Sequence, residues 1–141
     1  MKKILIMEDD TKIAAALAIR LSAAGYEVLI APDGLQGIQS VVKDRPDLLI
    51  MDIWMPIGLG FSVAQRLKTV GLGDIPMIFI TASKLKGLRE AAHKSGAVAF
   101  FEKPYDPEKL LAAVAQALEQ QPRPFSSEMA IHEKAQHAVT A

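Results

Sequence analysis

The chain has 141 residues, 50% of them hydrophobic and 23% charged, a globular balance long enough to bury a real core. Sixteen basic and sixteen acidic residues cancel, which leaves no global field for nucleic acid or an anionic membrane surface. Cysteine is absent, so disulfides and thiolate metal sites are excluded and a reducing compartment fits. The opening "MKKILIMEDD" meets acids too soon for a secretory signal, and no apolar run reaches the ~18 residues of a membrane span. The expectation is a cytoplasmic domain with no membrane contact.

In chain order, "KILIM" (3–7) is the first strand-length apolar run, and "EDD" follows it. Ile13, Leu17 and Leu21, four apart, predict a helix that Gly25 closes. "EVLIA" (27–31) is the second run, followed by "PDG" and a helix predicted to bury Leu35, Ile38 and Val42. "DLLIM" (47–51) is the third run and leads into Asp52; Val63, Leu67 and Val70 mark the helix after it. "PMIFI" (76–80) leads into Thr81. A weaker helix on Leu88, Ala91 and Ala92 follows, with Gly87 near its start at a cost of about 1 kcal/mol relative to alanine. "AVAFF" (97–101) leads into Glu102, Lys103 and Pro104. In "DPEKLLAAVAQALEQ", Asp106 caps, Pro107 takes the first helical position, and Leu110, Val114 and Leu118 line one face. Residues 121–141, with two prolines, two serines and little periodicity, read as a tail.

Five apolar runs, mostly continuous rather than alternating and each followed by a helix, specify strands buried on both faces of a parallel sheet. The fold class is α/β: a five-stranded, doubly wound parallel sheet with right-handed crossovers. Such sheets bind ligands outside the carboxyl ends of their strands. The residues delivered there are Glu8, Asp9 and Asp10, then Asp52, then Thr81 and Ser83, then Lys103. Crowded carboxylates require a counterion, and oxygen-only ligands suit a hard cation such as Mg²⁺. A hydroxyl and a lysine beside them suit a phosphoryl group, and a central carboxylate can attack phosphorus to give an acyl phosphate. Each feature has a plainer reading alone: Asp52 or Asp10 as a helix cap, Thr81 as a cap, Lys-Pro as a turn. Their coincidence at four strand ends of one sheet favours the chemical reading.

Residues 1–120 resemble the receiver domain of two-component response regulators, including the single-domain chemotaxis type. The motifs that carry the likeness are "ILIMEDD", "DLLIMDIWMPIGLG", "IFITA" and "AFFEKPYDPEKL", in that order. The resemblance implies a flavodoxin-like (βα)5 fold in which Asp52 accepts a phosphoryl group from a phosphohistidine on a sensor histidine kinase or phosphotransfer protein. It implies Mg²⁺ held by Asp9, Asp52 and the Trp54 carbonyl, with Glu8 acting through water, and phosphoryl oxygens held by Thr81 and Lys103. It also implies a cis peptide at Lys103–Pro104. Thr81 and Phe100 would form the switch that reshapes the face of the fourth helix, fifth strand and fifth helix for a downstream effector protein. The protein would be no enzyme beyond catalysing its own phosphorylation and dephosphorylation.

Two departures stand out. The loop "PIGLGF" is unusually apolar, with Leu59 where the family has a small polar residue and Gly60 in its expected place. Trp54, two residues past Asp52, is expected with Ser83 to shield the phosphoryl group from water. Rival readings fail on particular residues. A dehalogenase-type phosphatase wants an acid where Trp54 stands, a nucleotide-binding loop wants glycines where "EDDTK" stands, and "HEKAQH" spaces its histidines wrongly for a zinc protease. The remaining alternative is a receiver-like binding module that works without phosphorylation. No helical DNA-binding pattern follows residue 120, so output is expected to pass through a partner protein, without direct nucleic-acid contact. Dimerisation through the last helix and its neighbours is a further expectation.

Overall fold

The computed structural model describes residues 1–55 and 60–119. The apolar loop at 56–59 and the tail expected at 121–141 lie outside the described residues. Five strands, β1 (Lys3–Met7), β2 (Glu27–Ala31), β3 (Leu48–Asp52), β4 (Met77–Thr81) and β5 (Ala99–Glu102), form one sheet. It is parallel throughout, in the order β2-β1-β3-β4-β5. The helices are α1 (Thr11–Ala23), α2 (Gly34–Asp44), α3 (Gly60–Thr69), α4 (Leu88–Lys94) and α5 (Pro107–Glu119). The doubly wound fold expected from the apolar runs is the one present. Strands β3 to β5 run one residue further than their apolar runs, so Asp52, Thr81 and Glu102 are the last strand residues rather than the first loop residues. Among the described residues no helix is long and apolar enough to cross a membrane.

The two faces of the sheet bury separate cores, as the period-two alternation of strands requires. Leu5, Met7, Leu49, Met51 and Phe79 face α2, α3 and α4, together with Val41, Val63, Leu67 and Ala92. Ile4, Ile6, Leu48, Ile50, Ile78 and Ile80 face α1 and α5, together with Leu17, Leu21, Leu110 and Val114. The central strands β3 and β4 are buried at every position. Each such side chain contributes about 1.5–3 kcal/mol relative to its exposed state.

The helix faces expected from spacing hold for α1, α4 and α5, but α2 is turned by about one position. Ile38 packs against the core as expected, but Leu35 and Val42 are about half exposed, while Gly34, Gly37 and Val41 face the sheet. The cause is close approach: a Cβ on Gly37 would collide with the Met7 side chain of β1. A glycine carries no hydropathy signal, so the spacing of larger residues pointed the wrong way. Val70 lies just beyond α3 and is 53% exposed, outside the face expected to include it. Gly87 is likewise not inside α4. It is the residue before it, at φ +86°, where glycine carries no steric cost.

Candidate functional site

Three backbone hydrogen bonds extend the ladder past the strand ends and fix the loops that follow. The amide of Glu8 donates to the Ala31 carbonyl at 3.0 Å, that of Ile53 to Ile80 at 3.1 Å, and that of Lys103 to Thr81 at 2.7 Å. The residues leaving β1, β3 and β5 are therefore held in register with neighbouring strands. Behind Asp52, α3 begins at Gly60, whose amide donates to the Ile53 carbonyl at 2.8 Å. A Cβ on Gly60 would stand 2.9 Å from the Asp52 carbonyl oxygen and 3.0 Å from the Phe79 ring, so only glycine allows this approach.

At that edge Glu8, Asp9 and Asp52 bring one carboxylate oxygen each within 4.8 Å of one another. Glu8 and Asp52 are buried, at 2% and 7% exposure, and Asp9 is exposed. The Lys103 ammonium donates to Glu8 Oε1 at 2.6 Å and to Asp52 Oδ2 at 3.0 Å. Asp52 Oδ1 accepts the Trp54 backbone amide at 3.1 Å, and Glu8 Oε2 accepts the Asp10 amide at 3.3 Å. Burial pushes the Glu8 carboxyl up, the Lys103 hydrogen bond offsets this in part, and the nearby Asp52 charge adds to it. For Lys103 burial acts against the charge, yet the hydrogen bonds to Glu8 and Asp52 outweigh it and raise its pKa. Charge-assisted bonds of this length, with little water around them, hold both carboxylates in one orientation.

The remaining expected residues fall around this cluster. The Lys103–Pro104 peptide is cis, as expected. Thr81 is fully buried, and its Oγ1 accepts the Ser83 amide at 3.1 Å. Thr81 shares a sheet face with Phe100: Phe79 pairs with Phe100 and Thr81 with Glu102, so the two are diagonal neighbours on adjacent strands. Phe100 is 8% exposed and belongs to the core beneath α4. Trp54 is about half exposed at the rim. Asp10 takes the plainer role, capping α1 by accepting the Lys12 and Ile13 amides.

Sequence reasoning missed two side chains here. Lys84 spans from the loop after β4 to Glu102 Oε2 at 3.2 Å and to the Lys103 carbonyl at 3.4 Å. The Arg89 guanidinium lies 4.8 Å from the centre of the Phe100 ring. Residues 18, 19 or 11 positions apart give no local pattern, and an isolated Lys or Arg is the commonest kind of surface residue.

Three carboxylates beside a lysine at the carboxyl edge of a doubly wound sheet form an oxygen-only donor set of the kind that suits a hard cation. The comparisons with known proteins agree: the response regulator receiver domain family matches residues 4–115, and the chain belongs to that family. It is 36% identical over 112 residues to the response regulator MprA of Mycobacterium leprae, covering 79% of this chain and 49% of that one. It is 38% identical over 120 residues to the DNA-binding dual master transcriptional regulator RpaA of Synechocystis, covering 81% and 48%. The chain thus spans about half the length of the curated relatives it matches. Among solved structures it is similar to the chemotaxis response regulator CheY4 of Vibrio cholerae, at TM-score 0.76 and 28% identity over 84% of this chain and 99% of that one. A CheY-like receiver domain protein of Methanospirillum hungatei matches at TM-score 0.80 and 27% identity, covering 86% and 96%. Receiver-domain membership supports a role in phosphoacceptor signalling.

Proposed function

We propose that residues 1–120 are a phosphoacceptor unit that takes a phosphoryl group onto Asp52 from a histidine kinase or phosphotransfer protein, residues 121–141 being a tail. The observation that carries this reading is the buried Asp52 carboxylate, oriented by Lys103 at 3.0 Å and by the Trp54 amide at 3.1 Å. A bond forms between an Asp52 oxygen and phosphorus as the phosphorus–nitrogen bond of phosphohistidine breaks; the departing imidazole nitrogen keeps the bond's electron pair and takes up a proton from solvent. Lys103 remains beside the growing negative charge, and Thr81 supplies a hydroxyl from the neighbouring strand end. Three carboxylates carrying oxygen ligands only, within 4.8 Å of one another, fit a Mg²⁺ ion. When bound, by Asp9, Asp52 and the Trp54 carbonyl with Glu8 through water, it offsets the charge of the phosphoryl oxygens. The chain's only catalysis is on itself.

Output follows from the shared face of Thr81 and Phe100: a change at Thr81 repacks the surface made by α4, β5 and α5, by population shift between two packings. The balanced charge of the chain supports a protein effector rather than nucleic acid. Incubation with acetyl phosphate and Mg²⁺, read by intact mass, tests the acceptor role: wild type gains one phosphoryl group and Asp52→Ala gains none. No gain on wild type, or the same gain on Asp52→Ala, turns the reading to a module that binds without phosphorylation. A pull-down with phosphorylated and unphosphorylated chain then identifies the effector.

A further inference from the structure

We infer that Arg89 is a positioning residue for the switch, holding Phe100 buried so that the domain is biased toward its phosphoryl-binding packing before any phosphoryl group arrives. The inference rests on the acceptor reading above and adds a regulatory contact to it. A phenylalanine has no hydroxyl to hydrogen-bond with solvent, so turning its ring outward exposes apolar surface with no polar return. The ring is instead 8% exposed, packed into the core beneath α4. Arg89, on the first turn of α4, covers it in two ways. Its guanidinium lies 4.8 Å from the ring centre, and its Nη1 donates to the Phe100 carbonyl over a long 3.4 Å. The same residues border a cleft of about 140 Å³ with Ala92 and His93, so the ring has open space to one side and stays under the arginine.

The direction follows from linkage. The contact exists only while the ring is buried and α4 lies against β5. On the switch reading proposed above, the buried ring is the packing that engagement of Thr81 favours; the two residues are diagonal neighbours on one face. Whatever stabilises that packing raises affinity for the phosphoryl group, and the phosphoryl group in turn tightens the contact.

The test is calorimetric titration of beryllofluoride, a phosphoryl mimic, into the Mg²⁺-loaded full chain. Arg89→Met is expected to weaken binding by about 2- to 10-fold, the range of a partly exposed cation–π contact. Arg89→Lys, which keeps the charge and loses the planar stack, is expected to weaken it less. In a Phe100→Leu background, where only the contact with the backbone carbonyl is left to lose, Arg89→Met is expected to cost clearly less than in wild type, a coupling that a general loss of stability would not show. Binding by Arg89→Met as tight as or tighter than wild type overturns the inference, as does an equal loss in the Phe100→Leu background. A wild type that gains no phosphoryl mass from acetyl phosphate overturns the acceptor reading itself, and this inference with it.

Discussion

Asp52 shows how one carboxylate is made tolerable in an apolar setting. Its neighbours in the sequence are Met51 and Ile53, both fully buried, so its charge must be met by groups from elsewhere in the chain. Lys103 meets it from 51 residues away and also reaches Glu8, 95 residues away. The sequence placed all three at one sheet edge because each follows an apolar run. It said nothing of which pairs with which, since pairing depends on side-chain reach across strands. Hence Glu8, expected to act only through water, is also the shortest partner of Lys103. Trp54 carries the residue-scale prediction. Its amide is fixed to Asp52 Oδ1 while its side chain sits at the rim, about half exposed, with Ser83 on the loop after β4. An indole there obstructs water more than a small polar group does. We expect phosphorylated Trp54→Asn to lose its phosphoryl group faster than wild type, followed by intact mass over time. Equal or slower loss would refute the shielding role.

At the scale of elements, the helices were legible where side chains carried the signal and illegible where glycine did. Leu17 and Leu21 on α1, and Leu110, Val114 and Leu118 on α5, are buried as their spacing implied. The inner face of α2 was misread because Gly34 and Gly37, which let it lie close to β1, look like nothing in a hydropathy pattern. Gly60 is the same device next to the site. Gly60→Ala would press a Cβ against the Asp52 carbonyl and the Phe79 ring, two groups with no free side to move into. We expect a loss of about 1–3 kcal/mol in thermal or denaturant unfolding, together with slower phosphorylation, because the displaced atom belongs to the residue proposed as acceptor. The opposite change is available at the end of α2. Arg45 sits at φ 48°, the left-handed conformation that costs a residue with a Cβ about 1–2 kcal/mol. Its own amide still donates to the Val41 carbonyl at 3.0 Å, a bond that glycine would keep. Arg45→Gly forgoes the exposed Nε contact with the Val42 carbonyl and relieves the strain. The expected result is a gain of up to about 1 kcal/mol in stability, read in urea as a higher midpoint with the slope unchanged.

For the molecule as a whole, the sheet order concentrates charge at one edge. The chain is neutral overall, but the carboxyl edge gathers the carboxylates of Glu8, Asp9 and Asp52 around the ammonium of Lys103. Three negative groups and one positive leave a local charge of minus two, most of it at buried groups that water screens poorly. Such a cluster costs folding free energy, and a cation that binds only the folded arrangement returns it by mass action. At Mg²⁺ about ten times its dissociation constant this amounts to about 1.4 kcal/mol, enough to raise the melting temperature by several degrees in a domain of this size. The variants discriminate this from a general salt effect, which would act alike on all of them. Lys103→Met leaves Glu8 and Asp52 buried without their ammonium, so the metal-free protein should be destabilised by about 3–5 kcal/mol. Its gain from Mg²⁺ should exceed that of wild type, because the ion then faces a charge of minus three. Asp52→Ala removes one of the three ligands and one of the charges, so its gain should be the smallest of the three. Thermal unfolding of all three proteins, with and without Mg²⁺ at constant ionic strength, measures the order. Equal gains across the set would mean that the carboxylates at this edge do not act together on a cation.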